Sequence, residues 1–337
     1  MVAYQGVLVN GEVIGGRISS MTRELLNMGR RLSHELSQPL STLLMGGEQT
    51  ESAKEVIALG SDRVYLIHPS SPGSHPEIHV AVLTELVKRV GPSIMLFGHT
   101  DMGRDVAPRL AVRLGATVTM DCTDLQIDRE TKQLLQSKPV YGGNAIAVWV
   151  SNAEGLQIVT LRPKAVMPAE PDPSRNGEII EMDITINESS MKSRLLETAR
   201  QEVQGAKLED AKVVIAGGGG IGGREGFEML EQLAAVLGGV VGVTRVPCDE
   251  GWMPTSLEIG QTGRIVTPNL YVAVGISGAS QHMAGCSGSK YIISINRDPE
   301  ANIFKESDFG IVGDYREVLP AFIEKCKNLI NGWGSDR

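Results

Sequence analysis

Aromatic residues and positive charge are both scarce in this chain. Phe, Trp and Tyr make up 4% of its 337 residues, and the net charge is −8. Nucleic-acid binding needs a basic surface for the phosphates and commonly uses aromatic side chains on which bases stack. The composition therefore predicts a protein that binds no nucleic acid. Glycine, by contrast, is abundant at 39 residues, which is typical of α/β proteins with tight turns beside a cofactor.

Cysteine is also rare, and no long apolar run is present. The four cysteines form no C-x-x-C pair; they are Cys122, Cys248, Cys286 and Cys326. This spacing excludes the usual zinc and iron–sulfur motifs, so no metal site is predicted, and it indicates no disulfide framework. We expect a reduced, cytoplasmic compartment. Without a run of 18 apolar residues or a basic, apolar leader, we expect no membrane span and no secretory signal.

The spacing of apolar residues predicts two domains, as the length of the chain also suggests. Short apolar runs alternate with amphipathic stretches, beginning with a strand at Tyr4–Val9 and a helix at Ser20–Leu36. Such alternation is typical of parallel sheets covered by helices. We predict an α/β fold of two doubly wound, Rossmann-like domains, residues 1–203 and 204–337. The other predicted strands are Ser41–Met45, Val64–Ile67, Ser93–Phe97, Lys212–Ala216, Val240–Val246, Tyr271–Val274, Tyr291–Ile295 and Gly310–Val312, and the other helices are Glu51–Leu59, Ile78–Val90, Asp105–Leu114, Arg224–Leu237 and Leu319–Leu329.

The alternation is interrupted in the middle of the chain. Ala116–Ile127, Lys138–Val150 and Leu156–Pro163 have the composition of strands and predict a β-rich extension of the first domain. The Pro-rich segment Pro163–Asn176 predicts an exposed loop. The polar segment Met191–Val203 predicts a helix ahead of the domain boundary.

A glycine cluster follows the strand that ends at Ala216 and precedes a helix. The pattern G-x-G-x-x-G fits it twice, as Gly217/Gly219/Gly222 and as Gly218/Gly220/Gly223. Glycine lets backbone N–H groups approach a pyrophosphate close to a helix N-terminus. In so glycine-rich a stretch the pattern is weak, and a tight turn with no ligand remains open. Taken alone, it suggests a nicotinamide-dependent dehydrogenase.

Four runs downstream are more specific: VTRVPCDEGW (243–252), EIGQTGRIVTPNLYVAVGISGASQHMAG (258–285), YIISINRDPEANIF (291–304) and SDFGIVGD (307–314). They resemble the electron-transfer flavoprotein α-subunit family, and the resemblance covers the chain essentially end to end. In the first domain, GRDVAPRLAVRL, VTMDCTDLQID and YGGNAIAVWV follow the family pattern less sharply. The stretches 121–124 and 160–163 are most similar to versions from anaerobic organisms.

The resemblance implies FAD as the cofactor and assigns residues to it. Thr244 and Arg245 are similar to the pair beside the isoalloxazine, where the guanidinium stabilises reduced, anionic flavin. Thr262 is similar to the hydroxyl that bonds flavin N5, and His282 to the histidine at the flavin O2 edge. The remaining residues that the resemblance assigns are Gly260, Gln261, Ser277, Gly278, Ala279, Ser280 and Gln281, around the flavin, ribityl and pyrophosphate, and Asn296, Asp314 and Tyr315, near the AMP half.

The side-chain chemistry suits a flavin independently, because negative charge accumulates on the flavin ring on reduction. Arg245 offers a cation, Gln261 an amide and Thr262 a hydroxyl. Each also has an ordinary explanation, a surface salt bridge for the arginine and a simple turn for the other two. His282 is the only histidine of the second domain, and a lone histidine is commonly just hydrogen-bonded. The motif around these residues favours the functional interpretation.

One position departs from the family pattern. Gly219 stands where the family's S-G-G-R-G places an arginine that contacts the cofactor. Arg224, five residues on, is a candidate substitute, and its role is open.

Two weaker candidates lie in the first domain. His75 and His79 have the i, i+4 spacing of a helical metal pair but no evident third ligand. The stretch 101–105 could bind an anion at a strand–helix junction, but capping of the helix by Asp101 is the better explanation of its sequence.

The resemblance implies an electron carrier rather than a stand-alone enzyme. A β subunit would complete a heterodimer, and electrons would pass between an acyl-CoA dehydrogenase-type flavoenzyme and other redox partners. Two kinds of carrier stay open: a simple relay, and a member of an NADH-dependent bifurcating complex, with NADH bound through the β subunit and ferredoxin or flavodoxin as acceptor. The alternatives are a free-standing FAD- or NAD(P)-dependent oxidoreductase and, for residues 1–115 alone, a nucleotide-binding sensor domain.

Overall fold

The computed structural model describes residues 4–46, 49–68, 75–141, 145–152, 155–186, 192–193, 196 and 208–334. The chain divides into two compact units, Met1–Ala199 (unit 1) and Arg200–Arg337 (unit 2). The predicted boundary at 203/204 and most of the predicted helix Met191–Val203 lie outside the described residues. Within the described ranges, no helix is both long enough and apolar enough to cross a membrane. All four cysteines are free thiols.

Unit 1 alternates strands and helices along the chain. Its strands are β1 (Val7–Gly11), β2 (Val13–Ile14), β3 (Arg17–Ile18), β4 (Leu40–Met45), β5 (Arg63–Ile67), β6 (Ile94–Gly98), β7 (Thr117–Cys122), β8 (Asp124–Ile127), β9 (Leu134–Val140), β10 (Ala145–Val150), β11 (Gln157–Leu161) and β12 (Glu178–Glu181). Its helices are α1 (Ser20–Leu36), α2 (Thr50–Ala58), α3 (Pro76–Val90) and α4 (Asp101–Leu114).

Seven of these strands form a parallel sheet in the order β12-β5-β4-β1-β6-β11-β7. Helices α1 and α2 bury apolar side chains such as Leu25 and Val56 in the core that also holds Val9. Helices α3 and α4 bury others, such as Leu83 and Leu110, in a second core. Because helices cover both faces, the central strands are nearly continuous apolar runs. This is why the sequence analysis predicted their positions from short apolar runs.

The β-rich extension is smaller than predicted. Of its strands, β8, β9 and β10 form a separate antiparallel sheet, whereas β7 and β11 belong to the main sheet. The predicted strand Ala116–Ile127 is divided at Thr123, next to a register shift between β7 and β11. Asp121 there adopts a left-handed backbone conformation, with φ of 63°. The bulge redirects the chain out of the parallel sheet, and single-sequence alternation does not reveal it.

The segment Pro163–Asn176 contains no helix or strand, but part of it packs against the protein. The backbone N–H of Lys164 donates to the carboxylate of Glu24 on α1 at 2.6 Å. Ala165 and Ala169 pack against the core behind α1. The chain then adds β12 beside β5, an edge strand that the sequence analysis did not predict.

Unit 2 is a second doubly wound unit. Its strands are β13 (Val213–Gly217), β14 (Val240–Val243), β15 (Leu270–Val274), β16 (Ile292–Asn296) and β17 (Phe309–Val312), and its helices are α5 (Phe227–Leu237), α6 (Arg245–Asp249), α7 (Ser280–Met283) and α8 (Tyr315–Gly334). The five strands form a parallel sheet in the order β14-β13-β15-β16-β17. One core includes side chains of α5 and α8, and the other is completed by residues of loops and α7. The predicted α/β fold with two Rossmann-like domains is confirmed.

Candidate cofactor cleft in unit 2

A cleft of about 470 Å³ opens beyond the carboxyl ends of β13, β14 and β15. In the sheet, β13 lies between β14 and β15, so the chain leaves β13 to one side and later returns to the other. Ligands of open parallel sheets commonly bind at such a reversal. The cleft is lined by Gly218, Gly219, Gly220, Thr244, Arg245, Val246, Glu258, Ile259, Gly260, Gln261, Thr262, Gly275, Ile276, Ser277, Ala279, Gln281 and His282.

The glycine cluster forms one wall by lying directly on the turn after β15. Gly218 N–H donates to Val274 O at 2.9 Å, and Gly220 N–H to Gly275 O at 3.0 Å. A Cβ atom on Gly218 would lie 2.3 Å from Gly275 O, which no side chain tolerates. These amides are engaged by protein carbonyls, so close packing of two loops is one physical reason for glycine here. Gly219 differs, since a Cβ there would meet only Val246, at 3.2 Å.

Arg245 supplies the cation of the cleft, but not from a strand. The predicted strand Val240–Val246 ends at Val243, and Arg245 is the first residue of α6, with Thr244 in the N-cap position. Thr244 N–H donates to Gly217 O at 3.0 Å, which ties this turn to the glycine loop. The Arg245 guanidinium lies 3.2 Å from Asp249 and its side chain is 69% exposed. Such an exposed ion pair is weak, so the guanidinium can turn to another anion.

The loop after α6 brings polar groups to the opposite wall. Gln261 N–H donates to Gln281 O at 2.7 Å, so this loop is joined to α7. Thr262 Oγ1 donates to Glu258 Oε1 at 2.6 Å. Glu258 was not among the predicted site residues, although it begins the specific run 258–285. Because the Thr262 hydroxyl already donates its proton to this carboxylate, it cannot donate to a ligand at the same time.

His282 forms a buried part of the wall. Its ring Nδ1 lies 2.9 Å from Ile259 O, and its Nε2 lies 2.9 Å from the hydroxyl of Tyr271. Burial lowers the pKa of His282 to about 4. The imidazole is therefore neutral at neutral pH, and both of its nitrogens have protein partners.

The remaining predicted residues divide into lining and supporting positions. Ser277, Ala279 and Gln281 line the cleft, whereas Gly278 and Ser280 lie in the same turn without lining it. Gly278 has φ of 82°, and a Cβ there would lie 2.2 Å from Ile303 N, so this position requires glycine.

Asn296, Asp314 and Tyr315 do not line the cleft. Asn296 Nδ2 donates to Ile276 O at 2.8 Å, and the buried Tyr315 hydroxyl donates to Ile221 O at 2.9 Å. Both hold lining loops from behind. Asp314 Oδ1 accepts from Arg316 N–H at 2.9 Å at the start of α8. Their predicted contact with the AMP half stays a prediction.

Arg224 does not point into this cleft. It lines a separate depression with Phe227, Glu228, Glu231, Gly251, Trp252, Met253 and Pro254. As an exposed residue ahead of α5, it has not taken the place of the arginine that the family pattern puts at Gly219.

The weaker candidates in unit 1 have structural explanations. His79 Nδ1 lies 3.3 Å from the carbonyl of His75. Among the residues that the structure describes, no group of three or more His, Cys, Asp or Glu is placed to hold a metal ion. Thr100, not Asp101, caps α4, since its hydroxyl accepts from Gly103 N–H at 3.2 Å. The expected capping by Asp101 was therefore wrong; its carboxylate pairs with Arg104.

A polar cluster that the sequence analysis missed lies at the carboxyl ends of β6, β7 and β11. Arg162 donates to both carboxylate oxygens of Asp121, at 2.8 and 2.6 Å. Thr160 Oγ1 accepts from Asp121 N–H at 2.8 Å and lies 2.8 Å from His99 Nδ1. Burial lowers the pKa of His99. These groups satisfy one another and hold the bulge of β7, so we interpret the cluster as structural.

Comparison with known proteins agrees with the division of the chain. Residues 7–187 match the electron transfer flavoprotein domain, and residues 207–287 match the electron transfer flavoprotein FAD-binding domain. The second match contains the cleft-lining residues.

Three characterised relatives are similar over nearly the whole chain. The electron transfer flavoprotein subunit alpha of Thermoanaerobacterium thermosaccharolyticum is 39% identical over 97% of this chain and 99% of the relative. Protein FixB of Azotobacter vinelandii is 37% identical over 93% of this chain and 88% of the relative. The LctC subunit of the lactate dehydrogenase (NAD(+),ferredoxin) of Acetobacterium woodii is 36% identical over 95% of this chain and 76% of the relative. The chain therefore belongs to the electron transfer flavoprotein family, among its α subunits.

Proposed function

We propose that unit 2 binds FAD in the cleft beside the glycine cluster and that the chain relays electrons as one half of an αβ heterodimer. The observation that carries this proposal is the convergence of Arg245, Gln261, Thr262 and His282 on one cleft at the reversal point of a parallel sheet. This cleft lies within the segment that matches the family's FAD-binding domain.

The donor groups around the cleft suit a flavin. Flavin sites need an apolar surface on which the ring can pack and a few polar groups directed at the ring edge. Ile259, Ile276 and Val246 supply apolar surface, while Gln261 and Arg245 supply N–H donors. When bound, FAD supplies reversible one- and two-electron chemistry, and the protein supplies binding, orientation and charge.

Each polar group then has a definable task. The guanidinium of Arg245 can leave its exposed pair with Asp249 and hold positive charge where the reduced ring is negative. Thr262 can donate to the ring only by exchanging its bond to Glu258, so this pair couples flavin binding to the position of a carboxylate. We propose that Thr244, Gly260 and residues 277–281 also contact the cofactor.

The rival hypothesis of a free-standing oxidoreductase is less well supported, because the two proton-transfer groups that line the cleft, Glu258 and His282, are both bonded within the protein. Such an enzyme needs a general acid or base at the cofactor. His282 is the only histidine of unit 2, and both its nitrogens are engaged within the protein. Electron relay without substrate chemistry needs no such group.

The partner is a β subunit, which we propose to contact unit 1 at the exposed apolar edge strand β10. Relatives carry the name α subunit, which implies a β chain. As physiological partners we propose an acyl-CoA dehydrogenase-type flavoenzyme and, for a bifurcating complex, NADH at the β subunit and ferredoxin or flavodoxin. The name of the LctC relative couples NAD(+) with ferredoxin, and this favours the bifurcating kind of carrier.

The test is the visible spectrum of the chain co-purified with its β subunit, before and after anaerobic addition of NADH. A yellow complex with two flavins that NADH bleaches would support a bifurcating carrier. One flavin, unresponsive to NADH and reduced through an acyl-CoA dehydrogenase, would support the simple relay. A colourless complex that takes up no added FAD would overturn the proposal.

A further inference from the structure

Tyr271 lies behind the histidine wall of the cleft. It belongs to β15 and is completely buried. Its hydroxyl is 2.9 Å from Nε2 of His282, and the two rings are tilted by 49° with centroids 6.1 Å apart. Tyr271 does not line the cleft, so any influence on a ligand passes through His282.

The other ring nitrogen decides which atom is the donor in this pair. Nδ1 of His282 lies 2.9 Å from Ile259 O, and a carbonyl oxygen can only accept. Nδ1 therefore carries the proton of the neutral ring. Nε2 is then the acceptor, and the tyrosine hydroxyl donates to it. Burial lowers the pKa of His282 to about 4 and raises that of Tyr271 well above its usual value, so both are neutral at pH 7.

We propose that Tyr271 is a positioning residue of the flavin site, whose hydroxyl holds His282 as the neutral, Nδ1-protonated tautomer. The assignment rests on the proposed FAD function. Its consequence is electrostatic: the His282 wall carries no charge, which leaves the positive charge to Arg245. The backbone of Tyr271 is fixed in the sheet, where its N–H donates to Tyr291 O at 2.8 Å, so its hydroxyl cannot follow a turning histidine.

The decisive variant is Tyr271→Phe, which removes only the hydroxyl. Nε2 then becomes a buried acceptor without a donor, an arrangement that proteins avoid. Because Ile259 O still accepts from Nδ1, the form that gains population is the ring protonated at both nitrogens. Its positive charge stabilises negative charge in the cleft, so the midpoint potential of the bound flavin shifts to a more positive value.

The measurement is a long-range 1H–15N NMR spectrum of histidine-labelled αβ complex at pH 7, with the His282 signals assigned by their loss in His282→Gln. The native complex is expected to show one population, protonated at Nδ1 alone. In Tyr271→Phe that pure pattern is lost, and a dye-coupled titration gives the more positive potential. Tyr291→Phe is the matched control, since it removes the hydroxyl of a tyrosine that is 49% exposed, and it should change neither result.

Three results would overturn the inference: a native His282 protonated at Nε2, a Tyr271→Phe spectrum identical to the native one, or a changed protonation of His282 with an unchanged potential. The first is read on the native chain, so the test survives if the variant does not fold. The tautomer is also read in flavin-free complex. Failure to bind any flavin would therefore end the proposed function while leaving the Tyr271–His282 bond to be judged separately.

Discussion

Arg245 is the residue on which the charge of the cleft depends. Its replacement by Gln keeps polar character and removes the cation. A charge-assisted hydrogen bond is worth roughly 1.5–3 kcal/mol. If Arg245 makes one with the reduced ring, the two-electron potential of the bound flavin falls by about 30–60 mV, because 30 mV corresponds to about 1.4 kcal/mol. A spectroelectrochemical titration of the heterodimer measures this shift.

Arg264→Gln is the control for that experiment. Arg264 is also exposed in unit 2, but it pairs with Glu209 at 3.1 Å and does not line the cleft. Its replacement should leave the two-electron potential of the bound flavin unchanged. An Arg245→Gln heterodimer with the native potential would show that the guanidinium has no electrostatic role, and Arg245 would then be only a surface ion-pair residue.

Two neighbouring glycines should respond very differently to the same substitution. Gly218→Ala places a Cβ 2.3 Å from Gly275 O, so the two loops must separate. Gly219→Ala places it 3.2 Å from a Val246 methyl group, which can shift by a few tenths of an ångström. We expect Gly218→Ala to destabilise unit 2 by roughly 1–3 kcal/mol, as overpacking commonly does, and to weaken FAD binding. Gly219→Ala should be nearly neutral. Chemical denaturation and FAD titration of both variants check this, and equal behaviour would contradict the packing explanation.

Among the helices and strands, the sequence analysis predicted those that are long enough to show a regular spacing of apolar residues. Helix Ser20–Leu36 was predicted with its observed bounds, because an apolar stripe marks it; the structure adds that Ser19 caps its N-terminus. The edge strand β12 and the five-residue helix α6 were missed, since both are too short for a period to be visible. The position of α6 matters most, because it moves Arg245 from a strand end to a helix start. That change depends on a tertiary bond, from Thr244 N–H to Gly217 O.

The contact between α1 and the loop after β11 carries a pH-sensitive group. Glu24 is 4% exposed, and burial raises its pKa to about 7, although its bond to Lys164 N–H acts in the opposite direction. In the unfolded chain its pKa is about 4.5. The folded state therefore binds the proton more tightly. The stability due to the protonated form is fully present below pH 4.5 and is lost as pH rises through 7.

Glu24→Gln tests this contribution. Glutamine keeps the acceptor for Lys164 N–H and cannot ionise. Since each pKa unit corresponds to about 1.4 kcal/mol, the variant should exceed the native chain in unfolding free energy by roughly 2–4 kcal/mol at pH 8 and by little at pH 4.5. Urea unfolding across this range measures the difference. Glu35→Gln is the control on the same helix, because Glu35 also accepts a backbone N–H, that of Ile127 at 3.1 Å. A parallel pair of stability curves for Glu24→Gln and the native chain would contradict the explanation.

For the whole molecule, the specific motifs indicated which residues belong together but not how they are held. Arg245, Gln261 and His282 are far apart in sequence and line one cleft, as expected. Glu258 and Tyr271 lie in the same motif, yet their roles depend on bonds to Thr262 and His282 that only the fold shows. Recognition of a family assigns positions to a ligand, whereas protonation states and competing partners follow from burial and geometry.

The heterodimer itself can be tested at β10, the edge strand of the antiparallel sheet. Apolar side chains on it are exposed, with Ile146 at 59%, Val148 at 57% and Trp149 at 54%. Exposed apolar edge strands mark sites of association, and within the residues that the structure describes β10 pairs on one side only, with β9. The double variant Ile146→Lys/Val148→Lys should bind the β subunit at least about 100-fold more weakly, since burying each side chain is worth roughly 1.5–3 kcal/mol.

The matched control is Val112→Lys, which places the same charge at a valine on α4 that is 86% exposed. Titration calorimetry with purified β subunit measures all three proteins, and circular dichroism verifies that unit 1 remains folded. Weak binding by the double variant alone would assign the subunit contact to β10. If instead the double variant binds the β subunit with native affinity, the contact lies on another surface of the chain, and the exposed strand must be protected from edge-to-edge association in some other way.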